Sequence, residues 1–98
     1  MVRRCVFMKQ LEKIFKGLAN RRRLAVIRLL ARERELSVAD VAERIKLSFT
    51  ATSKHLGILR QLDILDRRQE GLTVYYRLAD PLPLIVKLLI QTISNSRE

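Results

Sequence analysis

The side chains best suited to chemistry lie in one stretch of the sequence, residues 47–64, and they form hydrogen bonds rather than catalyse reactions. Ser48 can cap a helix there, because its hydroxyl can accept a hydrogen bond from a free amide in the first turn. One face of this helix is apolar and should meet a core. That face comprises Thr52, Leu56, Leu59 and Leu62.

The opposite face of the same helix mixes hydrogen-bond donors and acceptors with one aromatic ring. It carries Phe49, Thr50, Ser53, Lys54 and His55. Such a mixture suits contacts with base edges and phosphates, so the stretch predicts a DNA-recognition helix. We count Ser48 and Thr52 among the candidate DNA-binding residues as well.

Catalysis and metal binding find little support in the sequence. The single histidine, His55, has no nucleophilic serine or cysteine at a recognisable spacing, and no glycine-rich phosphate loop is present. A site for a soft transition metal needs clustered thiolates or imidazoles, whereas His55 and the single cysteine, Cys5, lie far apart in the sequence. We therefore predict no enzymatic activity, no cofactor and no metal. Cys5 keeps two interpretations, a small buried apolar residue or a thiol with a redox role.

The charge of the chain favours a polyanionic partner. Its 98 residues include 20 Lys+Arg and 10 Asp+Glu, a formal net charge of +10. Binding a polyanion would release counterions and gain free energy. A solvated basic surface is the alternative. The 48% hydrophobic content supports one packed domain over residues 1–98 rather than a disordered chain.

Three helices are predicted before the recognition helix. Residues 6–18 have the spacing of an amphipathic helix, and Asn20 can cap a broadly apolar, central helix over residues 21–34. The arginines at 21–23 are either a solvated end of that helix or contacts for phosphates or acids. Ser37, with an acidic residue three positions later, can cap a third helix ending at residue 45. A short helix, a tight turn and a second amphipathic helix make a helix-turn-helix pattern.

A β-hairpin is predicted after residue 63. Residues 64–69 and 72–78 have the composition of strands, and Glu70-Gly71 signals the turn between them. Such a hairpin beside a recognition helix is a wing, which predicts a mainly α fold with a two-stranded hairpin, the winged helix-turn-helix. Its candidate DNA contacts are Arg67, Arg68 and Gly71.

The last predicted helix starts at Asp80 as its cap and is apolar on nearly every face. One small domain cannot bury such a helix completely. We expect the remainder to pair with a second copy of the chain, so that terminal helices at about 5–18 and 80–95 form a homodimer interface. No segment reaches the apolar length of a membrane span, and no signal peptide is recognisable. We expect a cytoplasmic protein.

Three segments resemble the ArsR/SmtB-type family of small dimeric winged-helix repressors. Residues 15–24, FKGLANRRRL, are similar to the family's K-A-L-A-(D/N)-x-x-R-x-x-I-L. Residues 36–42, followed by Leu-Ser at 47–48 and Ser-Lys-His-Leu at 53–56, resemble its L-S-x-x-x-V-S-R-H-L. The hairpin resembles its wing G-x-x-V-Y-Y-x-L. Together these segments cover about residues 11 to 80.

The resemblance implies DNA contact from the exposed face of the recognition helix and from Arg67, Arg68 or the wing tip. It also implies a dimer that reads a palindromic operator, with the two recognition helices about one helical turn apart. The metal sites of the family are not matched. Ser37 and Ala39 stand where sensing members carry cysteines, and Leu82 stands where others carry a histidine after Asp80.

The sequence therefore predicts a sequence-specific DNA-binding transcriptional regulator, a repressor that senses no metal. Two alternatives remain. The first is a winged helix that binds an acidic protein partner, and the second is an architectural protein that binds DNA of any sequence.

Overall fold

The computed structural model describes residues 2–95, with side chains from residue 7 onward. Within this range the chain folds into five α-helices and one small antiparallel sheet. The elements are α1 (Val2–Leu18), α2 (Arg21–Arg32), β1 (Leu36–Ser37), α3 (Val38–Ile45), α4 (Phe49–Gln61), β2 (Leu65–Glu70), β3 (Thr73–Leu78) and α5 (Leu84–Ser94). The predicted mainly α fold with a hairpin is confirmed.

Helix α2 is the centre of the domain, as its broad apolar face predicts. It contacts α1, α3, α4, α5 and β3. Four of its side chains are buried: Val26, Ile27, Leu29 and Leu30. The core around them also contains at least one buried residue from most other elements. Examples are Ile14 of α1, Val41 of α3, Leu59 of α4, Tyr76 of β3 and Val86 of α5.

Three helices begin at the capping residues that the sequence predicts. The side chain of Asn20 accepts hydrogen bonds from the amides of Arg22 and Arg23, at 2.9 and 3.1 Å. The hydroxyls of Ser37 and Ser48 each accept one from the amide three residues later, at 3.1 Å. These bonds satisfy amides that have no partner within the helix, and so they fix where α2, α3 and α4 start.

The two helices of the helix-turn-helix also end in the same way. At the end of α3, the amide of Leu47 donates to the carbonyl of Ala42, and Lys46 adopts a left-handed conformation with φ 56°. At the end of α4, the amide of Ile64 donates to the carbonyl of Leu59, and Asp63 has φ 60°. This is the Schellman arrangement, which turns the chain sharply and leaves few carbonyls unsatisfied.

The sheet has three strands in the order β1-β3-β2, rather than the two that the sequence predicts. Ser37 pairs with Tyr75, and Leu36 pairs with Tyr76. With only two residues, β1 is too short to show a periodicity in the sequence. It places the start of α3 directly against the wing. Tyr76 is buried in the core and Tyr75 lies on the other face, as their adjacent positions in a strand predict.

The predicted start of the last helix at Asp80 is wrong. Helix α5 begins at Leu84, with Pro83 at the cap position and no side-chain capping bond. The reason is that a residue before proline is disfavoured in the helical conformation, which keeps Leu82 out of a helix. Residues 80–83 therefore form a bend, and the last helix is shorter than predicted.

Several large apolar side chains on α1 and α5 are left uncovered by the single chain. Phe15 on α1 and Leu88 on α5 are each 51% exposed, and Phe7 and Leu84 are exposed further. Val86 is the one fully buried side chain on α5 within the described residues. None of the described helices is long and apolar enough to cross a membrane.

Thr52 is a correction to the predicted DNA contacts. Its side chain is completely buried on the inner face of α4, and no described residue hydrogen-bonds to its hydroxyl. A buried side chain cannot reach DNA, so Thr52 belongs to the apolar stripe alone.

The unsatisfied hydroxyl makes a testable prediction. Thr52→Val keeps the shape of the side chain and removes the buried polar group, so it should raise the free energy of unfolding by about 1 kcal/mol. Urea unfolding followed by circular dichroism measures this value. Thr50→Val, at an exposed site on the same helix, is the control and should change stability by less than about 0.5 kcal/mol. A loss of stability in Thr52→Val would contradict the assignment.

Candidate nucleic-acid interface

The outer face of α4 presents the residues that the sequence predicts. Phe49, Thr50, Ser53 and Lys54 are exposed, and Phe49 has 59% of its surface open to solvent. Ser48 is also exposed, and its hydroxyl accepts the capping bond, which leaves its O–H donor and one acceptor lone pair for a partner. None of these polar side chains has a hydrogen bond or ion pair to another described residue apart from that cap. They are therefore free to bind a partner.

This outer face extends further along α4 than the sequence analysis predicts. Arg60 and Gln61 are exposed in its last turn, and Lys46 is exposed in the turn that precedes it. Helical spacing from Lys54 and Ser53 would have found Arg60 and Gln61, since i to i+7 residues lie on one face. Lys46 gives no such signal, because it lies outside the helix.

His55 differs from its neighbours on α4 because it is half-buried and contacts α2. A guanidinium nitrogen of Arg23, Nη1, lies 3.2 Å from Nδ1 of His55. The Nε of the same arginine donates to the backbone carbonyl of Gly17 at 2.5 Å. Burial and the nearby charges of Arg23, Arg22 and Lys54 lower the pKa of His55 below its ordinary value. His55 is thus held within the protein as well as being placed on the recognition helix.

The arginines at 21–23 have a role that neither sequence interpretation includes. Arg23 donates to Gly17 and contacts His55, and Arg22 donates to the carbonyl of Ile45 at 3.4 Å. That carbonyl is at the end of α3, where a cation is favourable. Arg22 and Arg23 therefore connect α2 to three other helices, while Arg21 stays exposed.

The two candidate arginines of the wing have different surroundings. Arg67 is exposed and makes no hydrogen bond or ion pair with a described residue. Arg68 instead pairs with Glu35 at 2.7 Å and with Glu70 at 2.6 Å, and its guanidinium lies 4.6 Å from the centre of the Tyr75 ring. The hydrogen bonds to Glu35 and Glu70 raise the pKa of Arg68, and the hydrogen bond from Arg68 lowers the pKa of Glu35. Arg68 thus ties the wing to the segment before β1.

The tip of the wing is a two-residue loop, Gly71 and Leu72, between paired residues Glu70 and Thr73. Gly71 has φ 62°, which a type II′ turn requires at its first loop position and which glycine adopts at little cost. Leu72 is fully exposed at the tip, although the sequence analysis assigns it to the strand. An apolar wing tip was not predicted.

Metal ligands are not clustered in the part of the chain that the structure describes. No three His, Cys, Asp or Glu side chains there are placed to hold an ion. The side chain of Cys5 lies outside the described residues, so neither interpretation of this cysteine is tested.

Helices α3 and α4 with their tight turn, and the β2–β3 hairpin beside them, define a winged helix-turn-helix protein. A family model described as "Bacterial regulatory protein, arsR family" matches residues 20–67. The chain is similar to the arsenic resistance transcriptional regulator ArsR1 of Pseudomonas putida, with 35% identity over 85 residues, which are 87% of this chain and 66% of that protein. It is 39% identical over 66 residues to the transcriptional activator HlyU of Vibrio cholerae, covering 67% of this chain and 60% of HlyU.

Solved structures agree with these relatives. The structure of Vibrio cholerae HlyU superposes with a TM-score of 0.74 and 34% identity, covering 88% of this chain and 89% of that one. The solution structure of a homodimeric winged helix-turn-helix DNA-binding domain from Mycobacterium bovis, a possible ArsR-family transcriptional regulator, gives 0.79 and 30% identity, covering 94% and 82%. The chain therefore belongs to the ArsR family of bacterial regulatory proteins, which are regulators of transcription and not enzymes. It spans less than two thirds of the length of the two curated relatives named above.

The lowered pKa of His55 predicts how stability depends on pH. The unfolded chain binds a proton at the ordinary histidine pKa of 6.5, whereas the folded chain binds it at a lower pH. The free energy of unfolding should therefore be highest at pH values above 6.5 and should fall as the pH drops below 6.5. Urea unfolding of the wild type and His55→Gln at about pH 7.5 and 5.5 measures the effect. The carboxyl of Glu35 titrates below this range, because its pKa is lowered from 4.5.

The variant without the imidazole should lose less stability between the two pH values than the wild type does. Equal losses in both proteins would show that His55 titrates normally in the folded chain.

Proposed function

We propose that the chain binds double-stranded DNA in a sequence-specific manner as a homodimer and thereby regulates transcription. The observation that carries this proposal is the two-sided α4. One face of this helix is buried in the core, and the opposite face presents unpaired polar and cationic side chains next to the wing. A helix of this kind can enter the major groove with its exposed face toward the base edges.

The exposed side chains have complementary tasks in this proposal. Lys54 donates to the acceptors of guanine, Thr50 and Ser53 bond to base edges or phosphates, and Phe49 packs against a thymine methyl group. Arg67 and the wing tip contact the adjacent DNA backbone. His55 contributes from the second turn of α4. The family and the homologous domain from Mycobacterium bovis, which is described as DNA-binding, support this assignment.

The homodimer is proposed to form through the uncovered apolar side chains of α1 and α5. Exposed phenylalanines and leucines on the two terminal helices are typical of an oligomer interface. The homologous Mycobacterium bovis domain is homodimeric. A two-fold axis would present two α4 helices to a palindromic operator, with half-sites about one helical turn apart.

The proposed regulator is a cytoplasmic repressor that needs no metal. Repression follows if the dimer occupies an operator that overlaps a promoter. The family's cysteine string is replaced by Ser37 and Ala39, and Leu82 stands where other members carry a histidine, which supports metal-independent binding.

Lys54→Ala and Arg67→Ala should affect DNA binding differently. Loss of a base contact at Lys54 should lower the preference for operator over random duplex, by about 1–3 kcal/mol. Loss of a phosphate contact at Arg67 should weaken binding to both duplexes alike and reduce the slope of log K against log salt by about 1. Fluorescence anisotropy across a salt series measures both quantities.

Arg32→Ala is the matched control, since Arg32 is exposed at the end of α2 away from α4. It removes the same charge and should change neither the specificity nor the salt slope. Equal effects of all three variants would favour a general electrostatic interaction. Unchanged DNA affinity in the first two would favour an acidic protein partner.

Leu88→Glu should separate the proposed dimer. A carboxylate at an apolar interface must be desolvated without a partner, which opposes association, whereas the exposed position leaves the monomer fold intact. Light scattering after size exclusion at micromolar concentration should give a dimer for the wild type and a monomer for the variant. Lys54→Glu, which places the same carboxylate on the outer face of α4 and outside α1 and α5, should remain dimeric. A wild-type chain that is monomeric would contradict the proposal.

A further inference from the structure

Hydrogen bonds hold both the backbone and the side chain of Arg23 in place, and this determines how its guanidinium contacts His55. Its Nε donates to the carbonyl of Gly17, and its own backbone amide is bound to the capping Asn20. One of its other two guanidinium nitrogens, Nη1, lies 3.2 Å from Nδ1 of His55. The guanidinium therefore meets the imidazole at one nitrogen, in a half-buried junction of three helices.

The chemistry of the two groups fixes the direction of this hydrogen bond. A guanidinium carries five N–H donors and no acceptor, and it stays charged at any accessible pH. Nδ1 of His55 must therefore accept, which requires an unprotonated Nδ1 and leaves the single ring proton on Nε2. A doubly protonated ring would set two donors against each other.

We propose that Arg23 is a positioning residue that holds His55 as the neutral tautomer with its proton on Nε2, so that the recognition helix presents one uncharged donor to a DNA phosphate. The phosphate part of this inference rests on the proposed function, whereas the tautomer does not. The cations around the ring are Arg22 and Arg23 from α2 and Lys54 on α4 itself. They oppose a charge on the ring, and they attract a phosphate to its vicinity.

The same junction places the end of α1 against α4. A Cβ atom on Gly17 would collide with the side chain of Leu62, so the Leu62 side chain packs directly against the α1 backbone at Gly17. The carbonyl of Gly17, Arg23 and His55 then form one chain of hydrogen bonds from α1 to the recognition helix. Removal of Arg23 frees both ends of this chain.

The tautomer can be observed directly, because the chain contains one histidine. Nitrogen-15 correlation spectra of the imidazole should show Nε2 protonated and Nδ1 unprotonated at neutral pH. In Arg23→Gln the two tautomers should mix and the pKa of His55 should rise, since a charged donor has been lost. Arg21→Gln, which removes the same charge from an exposed neighbour, should keep the wild-type tautomer. A proton on Nδ1 in the wild type, or an unchanged spectrum in Arg23→Gln, overturns the proposal.

The DNA-binding part has a pH profile as its test. Wild-type affinity for an operator duplex should be constant between about pH 6.5 and 8, because a neutral ring takes up no proton. In Arg23→Gln the affinity should be about tenfold lower at the upper end and recover toward the lower end, as the freed ring becomes charged near phosphate. A purely structural arginine would lower affinity equally at every pH, which contradicts the proposal.

The spectra and the affinity measurements test the two parts of the proposal independently. If the spectra give the expected tautomer but His55→Ala leaves the affinity for every duplex unchanged, the phosphate contact is wrong and the tautomer assignment stands. If the wild type binds no duplex at low salt, the proposed function is wrong.

Discussion

The burial of one side of α4 against α2, α3 and β2 is the constraint on which the rest of the structure depends. Thr52, Leu56 and Leu59 are completely enclosed, and each buried leucine contributes about 1.5–3 kcal/mol to folding. A helix locked in this way cannot rotate about its axis without exposing those side chains. The direction in which Thr50, Ser53 and Lys54 point is therefore set by packing on the opposite side.

Some of the positively charged side chains bind other parts of the protein, and others remain available to a partner. Arg22 and Arg23 bond to backbone carbonyls at helix ends, and Arg68 contacts two carboxylates and a tyrosine ring. Lys54 and Arg67 have no such partners among the described residues. The net charge of +10 thus overstates what a partner can use, since part of it orients the helices and the wing. The specificity of the interface depends on where the few unpaired cations are held.

Local signals in the sequence predict most of the fold. Asn20, Ser37 and Ser48 cap the helices as expected, because a capping bond involves residues only two or three apart. The long-range features are the ones that local patterns miss. Examples are the pairing of β1 with β3, the Arg68–Glu35 ion pair and the Arg23–His55 contact, whose partners lie far apart in the sequence. Thr52 shows the remaining ambiguity, since a polar side chain at the edge of an apolar stripe fits either face until the packing is known.

The central claim is that packing orients the exposed faces of two α4 helices toward one DNA duplex. Selection of bound duplexes from a random pool tests this claim most directly. The full chain, kept in reductant so that Cys5 stays a thiol, should enrich a two-fold symmetric motif whose half-sites lie about one helical turn, roughly 10 base pairs, apart. Enrichment of an asymmetric single site, or of no motif at all, would contradict the account.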